Sequence, residues 1–91
     1  MLYHFEQSAD VTRVKPDFIN ADLDAALTCV QIARQTLETE KALRNRRSAR
    51  KAYDAVLQYM GSASLTRHQK ESITRKMSNL KTFLHNLGET F

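Results

Sequence analysis

Residues 41–60 read KALRNRRSARKAYDAVLQYM and contain neither glycine nor proline. A helix with 3.6 residues per turn places small and apolar side chains on one face of this segment and cations on the opposite face. The first face holds Ala42, Arg46, Ala49, Tyr53, Val56, Leu57 and Met60, and the second holds Arg44, Arg47 and Lys51. Because the apolar stripe needs cover from both sides, we expect the segments before and after it to be its packing partners.

The preceding segment predicts another amphipathic helix. Proline disfavours helix at the residue before it, so this helix should begin between Pro16 and Ala21, with Asn20 as its N-cap. Asp22 and Asp24 would then lie in the first turn, where the helix dipole favours anions. The apolar positions follow at intervals of mostly three and four residues: Leu23, Ala26, Leu27, Val30, Ala33 and Leu37.

The boundary between these two helices has no glycine or proline signal. One continuous helix is an alternative, and Glu40 with Arg44 would form a favourable pair in it. Helical phase argues against it, because at about 100° per residue the stripes of residues 23–37 and 42–60 point about 120° apart. We therefore expect a break between Glu38 and Asn45, with Thr39 or Asn45 as the next N-cap.

A third helix is predicted after residue 60. Gly61 suits the left-handed position that ends a helix, and Thr66 with Gln69 matches a capping box. The apolar stripe of this helix is Ile73, Met77, Leu80, Leu84 and Leu87, before Gly88.

The expected fold is all-α, a three-helix antiparallel bundle that runs up, down and up. The helices are predicted at about residues 18–38, 40–60 and 66–88, in a single domain of residues 16–91. An irregular N-terminal arm of residues 1–15 precedes them, and its apolar start favours docking on the bundle or on a second chain over a free tail.

Composition sets further limits. The 91 residues are enough for one domain, and their formal net charge is +4. Residues 1–40 carry three Lys/Arg and seven Asp/Glu, whereas residues 41–91 carry eleven and three. This asymmetry favours complementary packing of helices over binding of nucleic acid or of an acidic partner. A single cysteine, Cys29, fits a reducing compartment. With no secretory signal and no apolar run of about 20 residues, we expect a soluble, cytoplasmic protein.

Six cations lie within residues 41–51, a density that attracts a phosphate backbone. The predicted helices are too long for a helix-turn-helix reader and no aromatic residue interrupts the run to stack on bases, so a solvated face is the favoured interpretation. Arg46 is different because it lies within the apolar stripe. It predicts a structural ion pair with Glu38 or Glu40.

Residue types that support chemistry are sparse. His4, His68 and His85 are widely spaced, and the sequence has no HxxxH, CxxC or HExxH pattern and no glycine-rich phosphate loop. It contains no nucleophile motif and no pair of carboxylates on a buried face. The sequence therefore predicts no catalytic, cofactor-binding or metal-binding residues.

Residues 49–60, ARKAYDAVLQYM, resemble the second helix of tetratricopeptide-type hairpins and the central part of MIT domains. Ala49, Tyr53 and Val56 carry the shared A-x-x-x-Y-x-x-V spacing. Leu37 stands where the first tetratricopeptide helix has a small residue, and only one hairpin is present. The ending LHNLGE, residues 84–89, is similar to that of short uncharacterised bacterial helical proteins. These resemblances imply a helical module that binds a peptide or protein in a groove between its helices.

We therefore expect a protein-interaction or structural module without catalytic activity, bound to no cofactor and to no membrane. Tyr59 lies off the apolar stripe and is the expected surface contact, beside the cations Arg44, Arg47 and Lys51. Phe18 and Phe91, which a core of this size does not fully cover, indicate self-association, so a homodimer is a candidate beside an unidentified protein partner. Nonspecific nucleic-acid binding through the three cations is the alternative.

Overall fold

The computed structural model describes residues 15–61 and 63–91, and the predicted N-terminal arm therefore lies almost wholly outside the described residues. Three helices follow one another: α1, Pro16–Gln35; α2, Thr39–Met60; and α3, Arg67–Asn86. They form the expected up-down-up bundle. Helices α1 and α3 run in the same direction, because Asp24 contacts Lys76 near their middles and Arg34 contacts Phe83 near their ends. Helix α2 runs in the opposite direction, because Arg46 in its first half contacts Glu89, which follows α3.

Helix α1 begins at Pro16, with Lys15 in an extended conformation before it. Proline suits the first helical position because its missing N–H would have no partner there. The predicted N-cap is therefore wrong: Asn20 lies inside the helix, and its side-chain amide donates to the carbonyl oxygen of Pro16 at 3.3 Å. Asp17, rather than Asp22 or Asp24, is the acid of the first turn.

The break between α1 and α2 exists, as helical phase predicts, but it lies earlier than expected. Helix α1 ends at Gln35, and Thr36 and Glu38 adopt extended backbone conformations. The Thr36 hydroxyl accepts from the Glu38 N–H at 3.2 Å, and Glu38, not Thr39 or Asn45, precedes α2. Leu37, which the sequence analysis placed in the buried stripe, is 100% exposed.

The ends of α3 are well capped. The Thr66 hydroxyl accepts from the Gln69 N–H at 3.1 Å, and the Gln69 side chain accepts from the Thr66 N–H at 2.9 Å, which confirms the capping box. At the other end, Gly88 has a φ of 104° and its N–H donates to His85, while the N–H of Glu89 donates to Leu84. These two bonds form a Schellman motif.

Gly61 does not take the left-handed conformation predicted for it. Its φ is −70° and its ψ is −26°, so the chain leaves α2 in a right-handed conformation.

The core is made by one stripe from each helix. The fully buried large side chains are Ile19, Leu23, Val30, Val56, Ile73, Leu80 and Leu84. Ala49 and Tyr53 complete the contribution of α2, whereas Leu57, predicted in the same stripe, is 52% exposed. Lys76 of α3 donates to the Asp24 carboxylate of α1 at 2.8 Å, at the edge of the core.

Candidate functional site

Arg46 ties α2 to the chain segment that follows α3. Its Nε donates to Glu89 Oε2 at 2.5 Å, and its Nη1 donates to the carbonyl oxygen of Leu87 at 2.9 Å. The predicted ion pair at Arg46 therefore has a different partner, because its carboxylate comes from 43 residues further along the chain. Glu38 and Glu40 are instead exposed at the start of α2.

Arg50, one turn further along α2, binds the same segment. It donates to Glu89 at 3.3 Å, to the Thr90 carbonyl oxygen at 2.6 Å and to Asp54 on its own helix at 3.1 Å. Its guanidinium lies 4.2 Å from the centre of the Phe91 ring. The guanidinium groups of Arg46 and Arg50 are thus directed to the chain itself.

Phe91 covers Tyr53 at this contact. The two rings meet edge to face, with centroids 5.2 Å apart. Phe91 is nevertheless 49% exposed, as the sequence analysis expected of an aromatic residue that the core does not fully cover.

The predicted cations Arg44, Arg47 and Lys51 lie together on the side of α2 opposite the core, and we call them the cationic face. All three are exposed. They border a shallow depression together with Glu40, Leu43 and Ser48. Among residues 15–61 and 63–91, no ion pair includes any of the three.

Tyr59 does not belong to this face. Its role as a surface contact stays a prediction, but the side chain is half-buried and packs against the core cluster. The physical reason is the width of the buried stripe: two helices flank α2, and they cover positions on both sides of the line that Ala49, Tyr53 and Val56 define.

A hollow of about 210 Å³ lies at the end of the bundle where α1 joins α2. We call it the end hollow, and its walls are Ala33, Thr39, Ala42, Leu43, Arg46 and Leu87. Leu37 lies in the chain connection at the same end. Leu43 borders both the end hollow and the depression of the cationic face, so the two surfaces adjoin.

Sequence reasoning missed the end hollow. Its walls come from α1, α2 and the residue that follows α3, and only the fold brings Ala33 and Leu87 to the same hollow. The signal that was available is the phase of Leu43, which falls outside the apolar stripe of α2 although the residue is a large aliphatic one.

Metal-binding side chains do not cluster in the described part of the chain. No group of three or more His, Cys, Asp or Glu side chains that could hold a metal ion occurs within that part of the chain. Cys29 is half-buried against the core, in the manner of a small apolar side chain. None of the three helices has the length and apolar character that crossing a membrane requires.

Comparisons with models of protein families, with curated proteins and with solved structures found no match to this chain. The resemblance to tetratricopeptide-type hairpins and MIT domains therefore stays a prediction.

Proposed function

We propose that the protein is a small helical protein-interaction module without catalytic activity, and that it binds its partner at the end of the bundle where α1 joins α2. The observation that carries this proposal is the presence of the end hollow and of the fully exposed Leu37 at the same end of the bundle.

The end hollow suits an apolar side chain from a partner. It is a half-open depression of about 210 Å³. Ala33, Ala42, Leu43 and Leu87 give its walls a largely apolar surface. Water held against such a surface is poorly bonded, so its displacement by an apolar group favours binding.

Leu37 contributes to the same surface. Leu37 lies in the connection between two helices and is not part of the core. Its contact with water is unfavourable relative to burial. A partner that covers it gains about 1.5–3 kcal/mol. This end of the bundle therefore has both an exposed leucine that a partner can cover and a hollow that a partner's side chain can enter.

A second copy of the chain is the first partner to consider, since apolar side chains are also exposed at the opposite end of the bundle. Phe18, at the start of α1, is 65% exposed, and Leu57, near the end of α2, is 52% exposed. In an antiparallel, side-by-side pair, each end of one copy would lie against the opposite end of the other, and both would be covered. A homodimer built in this way is part of the proposal, and a monomeric mass in light scattering across the micromolar range would exclude it.

Photo-crosslinking in cells that produce the protein tests the interaction site itself. A photoreactive phenylalanine analogue replaces Leu37 in one variant and Thr74, exposed on the outer side of α3, in a control variant. We expect a discrete adduct from position 37 and none from position 74. An adduct of twice the 10.5 kDa chain mass identifies a second copy, and another mass identifies another protein. Equal adduct yields from the two positions would overturn the proposal.

A further inference from the structure

The cations of α2 fall into two groups in the structure, although they alternate in the sequence. Arg46 and Arg50 are bound to Glu89 and to carbonyl oxygens of the following segment. Arg44, Arg47 and Lys51 point away from the core, and none of them forms an ion pair within the described residues. Their charge serves no contact within the described bundle.

We propose that the cationic face binds the phosphodiester backbone of nucleic acid, independently of base sequence. This inference concerns a second surface and ligand beyond the proposed protein-interaction site, and it adds a binding activity to that function.

The spacing of the three cations fits the ligand. Seven residues separate Arg44 from Lys51, a distance of about 10 Å along the helix axis at 1.5 Å per residue. One strand of duplex DNA carries a phosphate every 3.4 Å along its axis, so about three phosphates occupy the same length. Three cations on a rigid helix thus face about three phosphates, without the entropic cost of ordering a flexible segment.

The neighbours of the cationic face explain why binding would be independent of sequence. Besides arginine, which the proposal assigns to phosphate, bases are read by Asn or Gln at their edges or by aromatic rings that stack on them. Asn45 is occupied, because its amide donates to the carbonyl oxygen of Lys41 at 2.9 Å. Ser48, exposed beside the three cations, is a hydroxyl donor of the kind that contacts phosphate.

An acidic protein surface is the competing ligand for three unpaired cations. The guanidinium groups of Arg44 and Arg47 match the oxygens of carboxylate and of phosphate alike. The regular row of three cations favours phosphate, because a nucleic-acid strand repeats its charge at fixed intervals. Glu40, which borders the same depression, belongs to the first turn of α2, where the helix dipole stabilises its charge.

Fluorescence anisotropy with a labelled 20-base-pair DNA duplex, a single-stranded 20-nucleotide RNA and a polyglutamate peptide tests this proposal. Three phosphate contacts give a slope of about −2.7 for duplex in a plot of log affinity against log salt concentration, and about −2.1 for a single strand. Between 50 and 200 mM salt the affinity should therefore fall about 40-fold for duplex and about 20-fold for RNA. These two arms identify which nucleic acid is preferred.

The decisive comparison uses two variants of equal charge. R44Q/R47Q/K51Q removes the cationic face, and K15Q/K70Q/R75Q removes three exposed cations elsewhere; each change takes three positive charges from a net charge of +4 and leaves +1. Circular dichroism verifies that both variants fold. We expect the first variant to lose nucleic-acid binding and the second to keep its salt slope.

Several results would overturn the proposal. These are the absence of binding to both nucleic acids at 50 mM salt, equal losses in the two variants, and binding of polyglutamate that exceeds binding of nucleic acid. The last result would assign the cationic face to an acidic protein instead. None of them bears on the crosslinking at Leu37, so the two proposals fail separately.

Discussion

Arg46 and Arg47 are neighbours in the sequence and have opposite surroundings in the bundle. The Arg46 side chain is 33% exposed and shares the Glu89 carboxylate, itself 17% exposed, with Arg50. Arg47 is exposed at the edge of a shallow depression. Charge at the first position holds two chain segments together, whereas charge at the second is available to a ligand.

Matched substitutions separate these two roles. Arg46→Gln should lower the free energy of unfolding by about 1–3 kcal/mol, because it removes charge-assisted hydrogen bonds and leaves the Leu87 carbonyl without its donor. Arg47→Gln should change it by less than about 0.5 kcal/mol, as is usual for a surface position without a partner. Urea denaturation measures both. A comparable loss in the two variants would mean that Arg47 also has a structural role.

At the scale of the helices, some helix ends are determined by residues next to them in the sequence, and others depend on the rest of the fold. The capping box of Thr66 and Gln69 was predictable from the sequence, because both of its hydrogen bonds lie within four residues. The break before α2 was placed a few residues late, since two extended residues suffice to turn the chain and neither needs to be glycine or proline. Because Leu37 lies between these two extended residues and not in a helix, it is exposed.

The two glycines show the same contrast. Each follows a helix, and the sequence offers no reason to treat them differently. Only Gly88 has a positive φ, and it precedes the segment in which Glu89 meets Arg46 and Arg50. The left-handed residue is needed where the chain turns back onto α2.

Alanine substitution distinguishes these glycines. Gly88→Ala should cost about 1–2 kcal/mol of unfolding free energy, because an L-residue is strained at a φ of 104° and its Cβ would lie 3.4 Å from Arg46 Nη1. Gly61→Ala should be neutral or stabilising by up to about 1 kcal/mol, since its φ is −70° and the nearest atom to a Cβ is 3.6 Å away. Thermal denaturation of the two variants checks this, and a larger loss at Gly61 would refute the assignment of the helix ends.

For the whole molecule, periodicity alone predicted the fold, because each helix carries one apolar stripe and a small bundle has few ways to cover three stripes. It did not predict the contacts that join distant segments. The partner of Arg46 comes from 43 residues away, and nearby carboxylates were the only candidates that sequence separation could suggest. The end hollow was missed because its walls also come from distant segments of the chain. The cationic face of α2 was predicted because helical phase depends only on residues of the same helix.

Leu37 is the residue on which the proposed function most depends. The sequence predicts that it is buried, whereas the structure has it fully exposed. The most direct measurement is the free energy of unfolding of Leu37→Ser, compared with Leu80→Ala in the core of α3, both at a protein concentration at which light scattering gives the mass of one chain, so that no partner covers Leu37. The structure predicts a change of less than about 0.5 kcal/mol at Leu37, since the side chain is 100% exposed, and a loss of about 2–5 kcal/mol at the fully buried Leu80. A loss of 2 kcal/mol or more at Leu37 would place it in the core and contradict the interaction site at this end of the bundle.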